Sequence, residues 1–363
     1  MRKVVVIGES ILSPLGATSQ ENFEAVCRGE SALRRYEGMF GVKEPFVASL
    51  MDRTQWQVEG RTFFDAVMIE AARRAVEDAG IDPSSPRTAF VLSTIKGNIE
   101  HIDTQDVTLA ASARRLADAF GNPNAPVVVS NACISGLAAL LQGRRMLLGG
   151  FDHVVVVGAE VQSRFIVTGF QSLKALSESP CKPFDAHRNG LNLGEAAAAV
   201  VLGFGDSGWE LVDGAVRNDA NHISGPSRTG EGSFKSLRYV LRNCTPDELA
   251  FVNVHGTSTL YNDEMEAIAI DRAGLLDVPV NALKGTFGHS MGAAGILESI
   301  LSMHAVDAGL VLPTRGFSEL GVSRAVKVSA EMGKTDKKAF IKLLSGFGGV
   351  NGALLFRKGG AAC

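Results

Sequence analysis

Short apolar runs recur along the chain, continuous rather than alternating: Val4 to Ile7, Thr88 to Leu92, Val127 to Ser130, Val154 to Val157, Ala197 to Leu202, Phe251 to Val254, Phe340 to Leu344 and Ala353 to Phe356. A strand that is apolar on both faces is covered on both faces, so these runs predict a sheet packed between helices. Between them the apolar spacing becomes helical. Phe63 to Ala79 buries one face, leaves Glu70, Arg73, Arg74, Glu77 and Asp78 outside, and meets a stop at Gly80. Ile134 to Leu148, Asp263 to Ala273 and Gly292 to Ala308 follow the same rule. Alternating strands and helices define an α/β layered fold. Two stretches break the pattern. Glu30 to Gln57 and Asp206 to Thr245 are irregular, and their content predicts loop or cap. A boundary near Gly205 divides the chain into 1–204 and 205–363. In each half a strand runs into a helix rich in small residues, Ser130 to Gly136 in the first and Gly288 to Gly295 in the second, which hints at internal duplication.

The composition narrows the function. Of 363 residues, 45% are hydrophobic and 21% charged, with a formal net charge of −3, so no polyelectrolyte surface is implied and nucleic acid is not expected as a partner. The cysteines Cys27, Cys133, Cys181, Cys244 and Cys363 are odd in number, scattered and never in a C-x-x-C pair, a pattern of reduced thiols that predicts the cytosol. The opening residues read as a first strand rather than a secretory signal, since Glu9 breaks their short apolar run. No apolar stretch reaches the roughly 18 residues that a membrane span needs.

Four segments carry candidate chemistry. Val127 to Leu140 is a buried strand, a tight turn and a helix, with Cys133 where the helix begins. Unpaired N–H groups and the positive end of the helix dipole favour a thiolate there and can also hold an oxyanion. Most cysteines are small core hydrophobes, so the position argues for a nucleophile only alongside partners. A partner is offered by Val252 to Thr259, where His255 ends a buried strand just before the acidic helix start Asp263 to Glu266. Asn281 to Gly295 sets His289 between glycines, with Lys284 placed to be held by Glu298 across the turn. Ser345 to Gly352 is a glycine-rich loop leading into a strand, not a helix, so it reads as a hairpin presenting backbone N–H groups rather than a dinucleotide fingerprint. The histidines form no H-E-x-x-H or close pair, and neither zinc nor a nucleotide is expected.

Taken together, Asn131-Ala-Cys133-Ile-Ser-Gly136, His255-Gly-Thr-Ser-Thr259, Lys284 with Gly288-His289 and Gly292 to Gly295, and Gly346-Phe-Gly-Gly-Val-Asn351 resemble the β-ketoacyl synthase family, and specifically its elongating members with a Cys-His-His triad. Lys182-Pro-Phe-Asp185 and Gly194-Glu195 match in order as well. The resemblance is close from Val127 to Phe356, thinner from Met1 to Gly29 and poor from Glu30 to Asn124. It implies the thiolase fold, two similar halves in α-β-α-β-α layers, as a homodimer or a heterodimer with a related subunit. The first half would carry the nucleophile and the second the two histidines. The resemblance also implies a decarboxylative Claisen condensation with malonyl-acyl carrier protein through an acyl-Cys133 intermediate, in fatty acid or polyketide-type synthesis. Cys133 and Phe347 would supply oxyanion-hole N–H groups, with Phe347 also as gate. His255 and His289 would bind the malonyl thioester carbonyl, Lys284 held by Glu298 would order them, and Thr257 and Thr259 would meet the phosphopantetheine arm. No bound cofactor is implied.

This chain also departs from the family pattern. Glu30 to Ser130 is shorter than in typical elongating synthases, leaving acyl length open, and Asn189-Gly-Leu191 stands where an acidic residue and an aromatic are usual. Degradative thiolases carry a second cysteine in the last glycine loop, and initiating synthases an asparagine in place of His289; this chain has neither feature. The alternative is a non-catalytic partner subunit resembling a chain length factor, although such partners typically lose the nucleophile that is present here as Cys133.

Overall fold

The computed structural model describes residues 2–359; Cys363 lies outside them. Ten strands form the main sheet: β1 (Val4–Leu12), β2 (Thr88–Ser93), β3 (Val127–Val129), β4 (His153–Glu160), β5 (Ala196–Phe204), β6 (Trp209–Asn218), β7 (Leu249–Asn253), β8 (Val280–Asn281), β9 (Ala339–Gly346) and β10 (Val350–Lys358). The helices are α1 (Ser19–Cys27), α2 (Phe63–Ala79), α3 (Leu109–Ala119), α4 (Ser135–Leu148), α5 (Arg164–Ser172), α6 (Glu231–Val240), α7 (Leu260–Arg272), the short α8 (Lys284–Phe287) and α9 (Met291–Asp307). None is long and apolar enough to cross a membrane.

Across the sheet the order is β8-β7-β9-β10-β6-β1-β5-β4-β2-β3. Each run of five repeats one plan. In the first, β2 lies parallel to β3 and β4, while β5 is antiparallel to β4 and β1. In the second, β7 lies parallel to β8 and β9, while β10 is antiparallel to β9 and β6. The runs meet only where Val5 and Val6 pair with Glu210 and Trp209. The hint of duplication in the small-residue helices is thus matched by topology.

Apolar burial sorts the helices into layers. One core joins α2 to the first run of strands, and another joins α6 and α7 to the second. A third is built around α4 and α9, which pack on each other and on strands from both runs. The result is the α-β-α-β-α arrangement, with α4 and α9 at its centre. The two central helices touch backbone to backbone. A methyl on Gly136 would stand 2.9 Å from the Gly292 carbonyl oxygen, and one on Gly295 would overlap the Leu137 nitrogen. Cys133 and His289 sit at the N-terminal ends of these two helices, so the crossing sets their separation.

The eight expected strands are all present, and α2 runs over the expected residues. The reading of Asp206 to Thr245 as loop or cap is incorrect, because it holds β6 and α6. β6 is interrupted by Glu210, Asp213, Gly214 and Arg217, and α6 starts at Gly230, which offers no side-chain cap. Glu30 to Gln57 is largely irregular, with two short strands, Arg34–Tyr36 and Phe46–Ser49, in a small sheet with Leu193–Gly194.

Candidate active site

Cys133 follows β3 through a turn that forces Ala132 to φ +46°, a left-handed conformation costing about 1 kcal/mol or more for a residue with a side chain. Ser135 stabilises the turn: its Oγ accepts from the Asn131 N–H at 2.7 Å and donates to the Ala132 carbonyl at 2.6 Å. The α-helix proper starts at Ser135, so Cys133 precedes the first turn rather than lying within it. Gly346 closes against this turn from β9, where a methyl would stand 3.1 Å from the Cys133 nitrogen. The N–H groups of Phe347 and Cys133 itself face the sulfur.

The expectation that this position favours a thiolate is corrected by burial. Loss of solvent pushes the Cys133 thiol up to about 11, and the Lys284 charge and the Phe347 N–H only partly oppose it. Cys133 is therefore a thiol at neutral pH.

His255 ends β7. Glu266 on α7 holds its backbone, accepting from the N–H groups of His255 at 2.7 Å and Gly256 at 2.8 Å. Asp263 holds the next turn through the N–H groups of Ser258 at 3.2 Å and Phe184 at 2.8 Å. The acidic start of this helix is therefore a backbone clamp, a role that its sequence alone did not reveal. His289 lies between α8 and α9. Its N–H donates to the Asn192 carbonyl at 2.7 Å and its carbonyl accepts from the Gly194 N–H at 3.0 Å.

Its imidazole orientation follows from one bond. The Met291 N–H donates to His289 Nδ1 at 3.2 Å, so Nε2 carries the proton. Among the described residues that Nε2–H has no hydrogen-bond partner, nor does His255 Nδ1. Burial, followed by the charges of Lys284 and Lys342, holds His289 well below the usual histidine range; burial and the Lys284 charge lead for His255. Both rings are neutral at pH 7.

The sulfur and one nitrogen of each ring lie within 4.8 Å of one another, and the ring centroids stand 5.0 Å apart, edge to face. Such a trio resembles a metal site by distance alone. The donor set argues otherwise, because His289 presents a proton rather than a lone pair to the shared space.

Lys284 Nζ lies 2.7 Å from Glu298 Oε1, the expected pair. A second buried lysine, Lys342 on β9, lies 2.6 Å from Glu298 Oε2. In the sequence it only interrupts an apolar strand.

Cys133, His255 and His289 line a cavity of about 380 Å³, together with Thr257, Thr259, Phe170 and Phe347. Thr257 and Thr259 hydroxyls are 3.0 Å apart, and Phe347 is partly exposed, stacked on Phe170 at 6.1 Å. The structure thus brings Cys133, His255, His289, Thr257, Thr259 and Phe347 around one volume, with Lys284 and Glu298 behind it.

A duplicated five-layer α/β protein with Cys, His and His converging below a hairpin of amide donors is the architecture of a thiolase-type condensing enzyme. Residues 1–204 match the N-terminal domain of β-ketoacyl synthases and residues 209–318 the C-terminal domain. The chain belongs to the β-ketoacyl synthase family. It is 28% identical over 413 aligned positions to 3-oxoacyl-[acyl-carrier-protein] synthase 2 of Vibrio cholerae, covering 98% of this chain and 99% of that protein. It is 26% identical to the tetracenomycin polyketide synthase ketoacyl synthase alpha subunit of Streptomyces glaucescens, with 98% and 97% covered. Among solved structures it superimposes on the ishigamide ketosynthase/chain length factor with a TM-score of 0.87 at 23% identity, covering 98% and 99% of the chains. A β-ketoacyl synthase from Burkholderia phymatum gives the same TM-score and identity, with 99% and 100% covered.

Proposed function

We propose that this chain catalyses the decarboxylative condensation of an acyl thioester with malonyl-acyl carrier protein, giving a 3-oxoacyl-acyl carrier protein in fatty acid or polyketide synthesis. The observation that carries the reading is the convergence of the Cys133 sulfur with two neutral imidazoles beside one cavity.

In the first half-reaction Cys133 Sγ attacks the acyl carbonyl. The thiol proton leaves with the departing carrier thiol, and the N–H groups of Cys133 and Phe347 hold the oxyanion between. In the second, the malonyl thioester carbonyl accepts from His289 Nε2–H and from His255. Its carboxylate–carbon bond breaks, carbon dioxide departs, and the electron pair becomes an enolate stabilised by those donors. The enolate carbon attacks the acyl group, the new carbon–carbon bond forms, and the bond to Cys133 breaks; the thiolate takes a proton from water. Lys284, held by Glu298, orders the histidines. Thr257 and Thr259 meet the phosphopantetheine arm that brings each substrate, and Phe347 gates entry.

Further elements of the reading are a division into halves 1–204 and 205–363, supported by the repeated strand order, an acyl carrier protein as partner, a dimer of this chain or with a related subunit, and a cytoplasmic setting. A partner-subunit role without catalysis is disfavoured by the intact nucleophile. The test is incubation with acyl thioester followed by malonyl-acyl carrier protein. Acyl mass on the Cys133 peptide, then carbon dioxide and 3-oxoacyl product, are expected; an unlabelled peptide under turnover conditions overturns the proposal.

A further inference from the structure

Behind the site, five side chains from five segments share one buried network. Lys342 Nζ on β9 lies 2.6 Å from Glu298 Oε2, and donates to Asn253 Oδ1 at 2.6 Å and to the Val254 carbonyl at 3.2 Å, the residue before His255. Glu298 turns its other oxygen to Lys284, which opens the short helix leading to His289. Asn253 passes its own N–H to Asn281 Oδ1 at 2.8 Å. Lys342 is fully buried, as are Lys284 and Glu298.

We propose that Lys342 is a positioning residue of this site: it ties the strand end bearing His255 to the Glu298–Lys284 pair beneath His289, and its charge keeps both imidazoles in the neutral, donating form. A single lysine would already neutralise Glu298. The second leaves the cluster with a net positive charge under the two rings, and a charged imidazole beside a positive charge is disfavoured. The other ionisable groups do not replace it. Lys284 acts in the same direction on both rings, Glu266 lies near Lys342 but is engaged by the His255 and Gly256 N–H groups, Glu160 by the Ile95, Lys96 and Gly292 N–H groups, and Asp263 by those of Ser258 and Phe184. Burial brings Lys342 down to about 8, against the pull of Glu298, so its charge is present through the acidic and neutral range.

The role rests on the proposed condensation but has its own readout. Lys342→Gln retains an N–H donor without the charge, and Lys342→Met removes both. In each, the acid limb of malonyl decarboxylation should move up by about one pH unit toward the ordinary histidine value, with acylation of Cys133 largely kept. Gln should recover part of the maximal rate lost in Met. An acid limb unmoved in a folded Lys342→Gln overturns the proposal. NMR titration of the two imidazoles reads the same shift without activity, and so still decides if the chain releases no carbon dioxide and the condensation itself fails. Should both variants fail to fold, the wild-type titration decides: rings that stay neutral well below the ordinary histidine value of about 6.5 support the role, and a ring titrating near that value overturns it.

Discussion

Burial and electrostatics pull Cys133 in opposite directions, and burial prevails. Because its thiol titrates near 11, alkylation by iodoacetamide should quicken about tenfold per pH unit from 7 to 10 without a plateau. Rates measured by intact mass would show a plateau near neutral pH if the helix end dominated instead. The same shift links to stability. The native thiol keeps its proton above the ordinary 9.0, so stability is fully present below that value and is lost as pH rises toward 11, by roughly 3 kcal/mol if fully expressed. Urea melts at pH 8 and pH 11 should show Cys133→Ala losing less than the wild type. His289 separates the two half-reactions. His289→Ala should keep most acylation and lose malonyl decarboxylation by a hundredfold or so, the scale of one transition-state donor; equal loss of both, measured by acyl mass and carbon dioxide release, would contradict the division of roles. The three reactive residues were legible because each stands where an apolar strand or small-residue helix meets a polar turn. Lys342 was not, since one lysine inside Phe340 to Leu344 looks like a solvent-facing strand position, and only the fold shows Glu298 and Asn253 around it.

Among the elements, α2 was legible to the residue because it is amphipathic and ends at Gly80, whose φ of +61° suits the stop. β6 and α6 were hidden for physical reasons. β6 lies at the seam of the two runs and alternates buried with half-exposed positions, so it lacks the continuous apolar signature of the interior strands. α6 has no side-chain cap to announce its start. α9 shows the opposite case: the helix forms where expected, but nearly all of it is buried rather than one face. Its small residues have a consequence at the α4–α9 crossing. Gly295→Ala would drive a methyl into the Leu137 backbone, separating the ends that carry Cys133 and His289. Overpacking of this kind costs about 1–3 kcal/mol. Thermal melts should show that loss, and condensation should fall more than the melting temperature alone accounts for.

At the scale of the molecule, the repeated strand order and the convergence of four distant segments make the fold and the family legible together, whereas the segment from Glu30 to Ser130 does not. The Vibrio cholerae alignment needs 413 positions for a chain of 363 residues, so that relative carries insertions absent here. The two ends of the sheet differ. β8, at one end, is flanked by Lys327 to Ser329, which exchange backbone hydrogen bonds with Val280. β3, at the other, pairs only with β2 among the described residues, and its three valines are half-buried. An apolar strand edge with free N–H and C=O groups pairs with another chain unless it is covered. For the dimer proposed above, the expected contact is across Val127–Val129, four residues before Cys133 at its nearest. Val128→Lys should convert it to monomer in light scattering after size exclusion. Condensation should drop with it, because the turn that aims the nucleophile begins where this strand ends; a variant that stays dimeric would place the contact on another face.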